Sequence, residues 1–154
     1  MTPSNVVLCT PVRTGSGTYG GTLKASPAAE LGAAVVKDAL ARGKLSGRDI
    51  GTVVLGQVVQ AGSKMNPARQ AMIGAAIPVE VWAMTVNRVC GSGAQAIVSA
   101  DREVMLGHVS CAVAGGMENM DQAPYLPDAC DTGRIKDIYL KDDDSVIARR
   151  SSVR

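Results

Sequence analysis

The stretch Asn87 to Ala100, NRVCGSGAQAIVSA, sets one cysteine between an apolar run and a helix of small residues. AMTVNRV before Cys90 is rich in β-branched and apolar types, and GAQAIVSADREVML after it is built from good helix formers. Cys90 is therefore expected at a strand-to-helix turn. There the first helical N–H groups lack intrahelical partners and the macrodipole sets partial positive charge beside the sulfur, both of which favour thiolate. Gly91 and Gly93 take side chains away from the approach to that sulfur. The chemistry such a joint suits is attack on an acyl carbon, with backbone N–H groups stabilising the oxyanion. A structural cysteine packed as a small hydrophobe accounts for the same spacing equally well.

The other chemistry-bearing residues give weaker readings. His108 is the single histidine, and 18 positions along a helix rising about 1.5 Å per residue put it roughly 27 Å from Cys90. It reads as a surface residue at a helix end, where positive charge complements the dipole. Cys9 and Cys111 fall in apolar strand-like runs and are expected to be buried, and Cys130 lies in a polar segment. No CxxC or metal-ligand spacing joins these thiols to His108, so reduced thiols and no metal are expected. GSGTYG at 15–20 fits G-x-G-x-x-G, but GTLKAS intervenes before the next helix, which favours a connecting loop over a dinucleotide fingerprint. AGGMENM at 114–120 follows a strand, and Glu118 and Asn119 are placed either to orient a substrate or as a plain polar loop.

The elements that position these residues alternate. NVVLCTPV is expected as a first strand. SPAAELGAAVVKDALARG follows as a helix capped by Ser26 and ended by Gly43, with Leu31, Val35 and Ala39 on its inner face. GTVVLGQVV, VWAMTVNRV and VSCAVAGG are further strands, separated by NPARQAMIGAA, with Asn66 as cap, and by a helix over 91–106. Strands and helices at this interval predict βαβ units and a mostly parallel sheet, an α/β fold. The first part of helix 91–106 is small or apolar nearly all round, which predicts burial on most sides.

Composition narrows the function further. The chain has 154 residues, net charge +2 and no Phe, so a core of Ala, Val and Gly packed closely is expected. No basic stripe interleaved with aromatics is present, which argues against nucleic acid. No apolar run approaches a membrane span and no leader pattern opens the sequence, so a cytoplasmic location is expected. Residues 1–127 carry 18 charges and the last 27 residues carry 12, which divides the chain into a domain at 1–127 and a charged tail at 128–154 with little to pack.

Taken together, PVRTGSGTYGG, VVLGQVVQAG with NPARQ, TVNRVCGSGAQAI and AGGMENMDQAPYL resemble, in that order, the N-terminal half of the thiolases, the acetyl-CoA C-acetyltransferases. The resemblance spans roughly residues 5–127. It implies the first half of an αβαβα architecture, with Cys90 as acyl-accepting nucleophile and its N–H as an oxyanion donor. It places Gly91, Gly93, Glu118 and Asn119 beside the substrate. It further implies coenzyme A thioesters as substrates without a resident cofactor, and a homo-oligomer or pairing with another thiolase chain. The family's Gly-His-Pro motif, second cysteine and Asn-Glu-Ala-Phe segment do not occur in these 154 residues. A truncated thiolase with impaired activity is therefore expected, with a noncatalytic interaction module or one half of a split enzyme as the alternative.

Overall fold

The computed structural model describes residues 6–124, 126–127, 138–140 and 149–151. It divides into two units, one ending at Gln122 and one beginning at Ala123. In the first, β1 (Thr52–Gly56), β2 (Trp82–Val86) and β3 (Ala112–Gly116) form a parallel sheet in the order β2-β1-β3. Thr52 pairs with both Trp82 and Ala112, and Gly56 with both Val86 and Gly116, so the three strands end level with one another.

Helices cover both faces of this sheet. α1 (Ala28–Gly43) and α2 (Pro67–Gly74) pack on one side, where Val36, Leu40, Ala71 and Met72 join Val53 and Leu55 of β1. α3 (Ser92–Met105) packs on the other, where Ala96 and Ala100 meet Val54. β1 is buried along its whole length and carries Val53, Val54 and Leu55 in succession without alternation, as a strand covered on both faces does. The α/β class and the βαβ alternation are as the sequence implies.

Several local features differ. NVVLCTPV forms no strand over its described residues: Thr10 takes φ +48, which breaks a pleated run, and Pro11 has no N–H for a ladder. Val7 and Leu8 are consequently 73% and 76% exposed, and Cys9, expected to be buried, is exposed. The cap of α1 falls on Pro27, whose carbonyl accepts from Glu30 and Leu31, and the left-handed residue after the helix is Lys44. Its buried face runs through Ala28, Gly32, Val36 and Leu40, one residue beyond Leu31, Val35 and Ala39. The cause is Gly32, where a Cβ would stand 2.6 Å from the Met117 sulfur and 3.2 Å from Ala71 Cβ. The closest helix contact thus centres on a position that hydrophobicity alone passes over. By contrast, Asn66 caps α2 as expected, its side chain accepting from the Arg69 N–H at 3.1 Å.

α3 is buried along Ser92, Ala96 and Ala100 only, and Ile97, Val98 and Met105 are exposed. Its outer apolar face has no cover among the described residues of the first unit, which is why burial on most sides is not seen. In the second unit β4 (Leu126–Pro127), β5 (Ile138–Leu140) and β6 (Arg149–Ser151) form an antiparallel sheet. Of residues 128–154, for which loose packing is expected, only 138–140 and 149–151 are described, as β5 and β6, and the rest, Cys130 included, lie outside the described residues. Among the described residues no helix is long and apolar enough to cross a membrane.

Candidate active site

Because the strands are parallel and end level, the loops leaving Gly56, Val86 and Gly116 emerge at one end of the sheet, the carboxyl end where open α/β folds place their sites. β2 ends at Val86 and α3 starts at Ser92, so the direction of the chain must be reversed within residues 87–91. The reversal is tight enough to force Val89 to φ +47. A β-branched residue in that region costs on the order of 1–3 kcal/mol and persists only where its surroundings hold it. Cys90, the next residue, is exposed.

Side chains hold both backbone polar groups of Val89. Its N–H donates to Asn87 Oδ1 at 3.0 Å, and the Ser92 hydroxyl donates to its carbonyl at 2.6 Å. The same Ser92 Oγ accepts from the Arg88 N–H at 2.9 Å, and Ser92 is buried. Backbone bonds from Gly91 N–H to Arg88 and from Ser92 N–H to Val89, both 3.0 Å, close the turn. The Cys90 N–H is the one amide of residues 88–92 that none of these bonds uses.

Two strand ends let α3 start so near the sheet. A Cβ on Gly56 would lie 2.6 Å from the Ser92 carbonyl carbon, and one on Gly116 would lie 3.4 Å from Gly93 Cα. Gly93 itself faces open space, with nothing within 4 Å of where its Cβ would be, so the approach on that side of the turn is clear. Gly91, at φ −87, has a Cβ position 3.3 Å from the Arg88 carbonyl oxygen.

Glu118 and Asn119 stand at the same end of the sheet, after β3. Glu118 Oε2 accepts from the N–H groups of Val58 at 2.7 Å and Val59 at 3.2 Å, and its other oxygen is buried with no partner among the described residues. Asn119 Nδ2 donates to the carbonyls of Leu23 and Ser26, and its Oδ1 accepts from the Asp121 N–H. These side chains tie loops together: Glu118 holds the loop after β1, and Asn119 holds the segment leading into α1. Sequence reasoning passed over Asn87 and Ser92. The signal was present in Asn-x-Val-Cys, since an Asn whose side chain bonds an N–H two residues on is a common turn former.

The remaining candidates lie elsewhere. His108 follows the carboxyl end of α3, its Nδ1 2.8 Å from Glu103 Oε2, whereas Cys90 precedes the amino end. The 14 residues of α3 put about 21 Å between the helix ends. GSGTYG is loop, and the Gly20 N–H donates to Asp121 Oδ1 at 2.8 Å rather than opening a helix. Cys111 is half-buried, and that burial pushes its thiol above the ordinary range. A cleft of about 340 Å³ lined by Pro27, Gln57, Ser63 and Asn119 does not include Cys90. Among the described residues no group of three or more His, Cys, Asp or Glu gathers as a metal site would require.

Comparison with known proteins finds relatives of this parallel α/β unit. Residues 6–147 match the model of the thiolase N-terminal domain, so the chain belongs to the thiolase family, and the match continues past Pro127 where the motif resemblance stops. The acetyl-CoA acetyltransferase of Cupriavidus necator is 46% identical over 140 residues, which are 90% of this chain and 36% of that protein. The beta-ketothiolase BktB of the same organism is 48% identical over 139 residues, covering 89% of this chain and 35% of that one. The crystal structure of the Bacillus anthracis acetyl-CoA acetyltransferase superposes with a TM-score of 0.70 at 38% identity, covering 73% of this chain and 28% of that chain. The chain thus spans about a third of the length of the relatives it matches.

Proposed function

We propose that this chain supplies the acyl-accepting part of a thiolase-type acyl transfer, with coenzyme A thioesters as substrates. Cys90 Sγ, as thiolate, attacks the thioester carbonyl carbon. The carbon–sulfur bond to coenzyme A breaks, coenzyme A leaves as thiolate and takes up the proton that Cys90 lost, and the acyl group remains on Cys90. The Cys90 N–H is the oxyanion donor supplied from within the turn. The observation that supports this reading most is the exposed thiol on a strained, side-chain-held turn, in a chain whose relatives are named acetyl-CoA acetyltransferases. Incubation with acetyl-CoA at neutral pH should add one acetyl group to the Cys90 peptide, and Cys90→Ala should abolish it. Acetyl found on Cys9 or Cys111 instead would sink the reading.

Condensation asks for more, because carbanion formation on the second acetyl-CoA needs a base placed at its α-carbon. His108 stands at the far end of α3 from Cys90. A positioned acid–base group contributes about 10²–10⁴-fold, so the 154-residue polypeptide by itself is expected to accept acyl groups yet turn over acetoacetyl-CoA near background.

A second reading, pairing with another thiolase chain or a second copy, is favoured by the edge strand β2. Among the described residues its one hydrogen-bonded neighbour is β1, and its Trp82 and Met84 are 69% and 44% exposed. An apolar edge of this kind invites strand pairing. Sedimentation should show dimers or larger species, and Met84→Lys should shift them toward monomer; a wild-type chain that stays monomeric at high concentration would rule this out.

A further inference from the structure

We propose that Asn87 and Glu118 are positioning residues for Cys90, acting through a continuous series of hydrogen bonds between the loop after β3 and the cysteine turn. The proposal rests on the reading of Cys90 as the reactive thiol and assigns what aims it. Glu118 Oε2 holds the Val58 N–H at 2.7 Å; the Val58 carbonyl accepts from Asn87 Nδ2 at 3.1 Å; Asn87 Oδ1 accepts from the Val89 N–H at 3.0 Å. Ser92 closes the series on the helix side through the Val89 carbonyl. Asn87 thus uses both ends of its amide, one for the strained residue and one for a neighbouring loop that is itself fixed by a carboxylate.

Geometry makes this more than ordinary loop packing. Val89 has no intrinsic reason to adopt φ +47, and relaxing it toward an extended conformation swings the following residue, which is Cys90. An Asn side chain that grips only its own turn can move with that turn. Anchored to Val58, it cannot move unless the loop after β1 moves too, and Glu118 prevents that by holding two successive amides of the loop. Cys90 is thereby kept immediately before the amino end of α3.

The test uses the full chain and reads the iodoacetamide labelling rate of Cys90 against that of exposed Cys9 in the same molecules, by peptide mapping at pH 7. Losing the placement at the helix end should slow Cys90 relative to Cys9 about three- to five-fold in Asn87→Ala. Asn87→Ser, whose hydroxyl can still accept from the N–H two residues on, should recover at least half of that loss. Glu118→Ala should slow Cys90 about two-fold, and adding it to Asn87→Ala should change nothing further, because the series is already cut. Equal rates in wild type and Asn87→Ala overturn the proposal, as do a Ser variant no better than Ala, or additive effects of the two substitutions. If Asn87→Ala does not fold, judged by circular dichroism, the Ser and Glu118→Ala variants decide it on the same readout. Labelling needs no thioester, so a wild-type chain that alkylates as described but takes no acetyl group counts against the acyl-transfer reading alone.

Discussion

Gly56→Ala is expected to destabilise the first unit by about 3 kcal/mol or more, the upper end for overpacking a tight interior, and to disturb the cysteine turn as well. The added Cβ would meet Ser92 at three atoms, its carbonyl carbon at 2.6 Å, its Cβ at 2.7 Å and its carbonyl oxygen at 2.8 Å. None of these is the far end of a flexible side chain. The strand cannot retreat, because Gly56 sits in register between Val86 and Gly116 and its carbonyl accepts from the Met117 N–H at 2.9 Å. The start of α3 must therefore move outward. Ser92 then loses its reach to the Val89 carbonyl and the Arg88 N–H, so Cys90 labelling should change along with the melting temperature. Gly32→Ala is the control: the nearest atom there is the Met117 sulfur, which can turn away on a flexible chain, with Ala71 Cβ at 3.2 Å, so a smaller loss of about 1 kcal/mol is expected. Equal melting temperatures for Gly56→Ala and wild type would show that α3 is not seated as tightly as the structure has it.

How much of this was legible in the sequence depends on what each residue type encodes. Asn66 and Pro67 announce the start of α2, because capping chemistry is local. The cysteine at a strand-to-helix joint is equally legible, since a β-branched run gives way to helix formers on either side of it. The strain at Val89 is not, for valine by type argues against a left-handed turn; only the grip of Asn87 and Ser92, formed once the chain has folded, makes it possible. The inner face of α1 is hidden from the sequence for a related reason: Gly32 contributes closeness rather than hydrophobicity, and a periodicity of apolar residues does not register it. NVVLCTPV has the composition of a strand, but a strand also needs a partner. With Thr10 at φ +48, Val7 and Leu8 remain exposed. Glu118 and Asn119 are at the sheet end that the motif order implies, while the bonds they make to Val58, Val59, Leu23 and Ser26 join segments too far apart in sequence for spacing to reveal.

Met72→Ala is expected to cost about 2–5 kcal/mol, the range for truncating a fully buried methionine, while leaving the cysteine turn unchanged in the folded protein. Met72 has no exposed surface and packs on the α1–α2 face of the sheet with Val53, Leu55 and Leu40. The turn belongs to the opposite face, where α3 rests on Val54 through Ala96 and Ala100, and none of the hydrogen bonds from Glu118 to Ser92 passes through α2. Against a total stability of about 5–15 kcal/mol for a domain of this kind, the substitution removes a large fraction. Thermal unfolding should begin roughly 10 °C lower, at about 2–4 °C per kcal/mol for a chain of this length. Below that temperature the ratio of Cys90 to Cys9 labelling should match wild type within experimental scatter. The comparison with Gly56→Ala is what separates stability from placement: both weaken the fold, but only the glycine substitution acts on the residue that seats α3. A Met72→Ala chain that is folded yet labels Cys90 at a different rate would mean that the two faces of the sheet are coupled through β1, whose alternating side chains Val53 and Val54 belong to both.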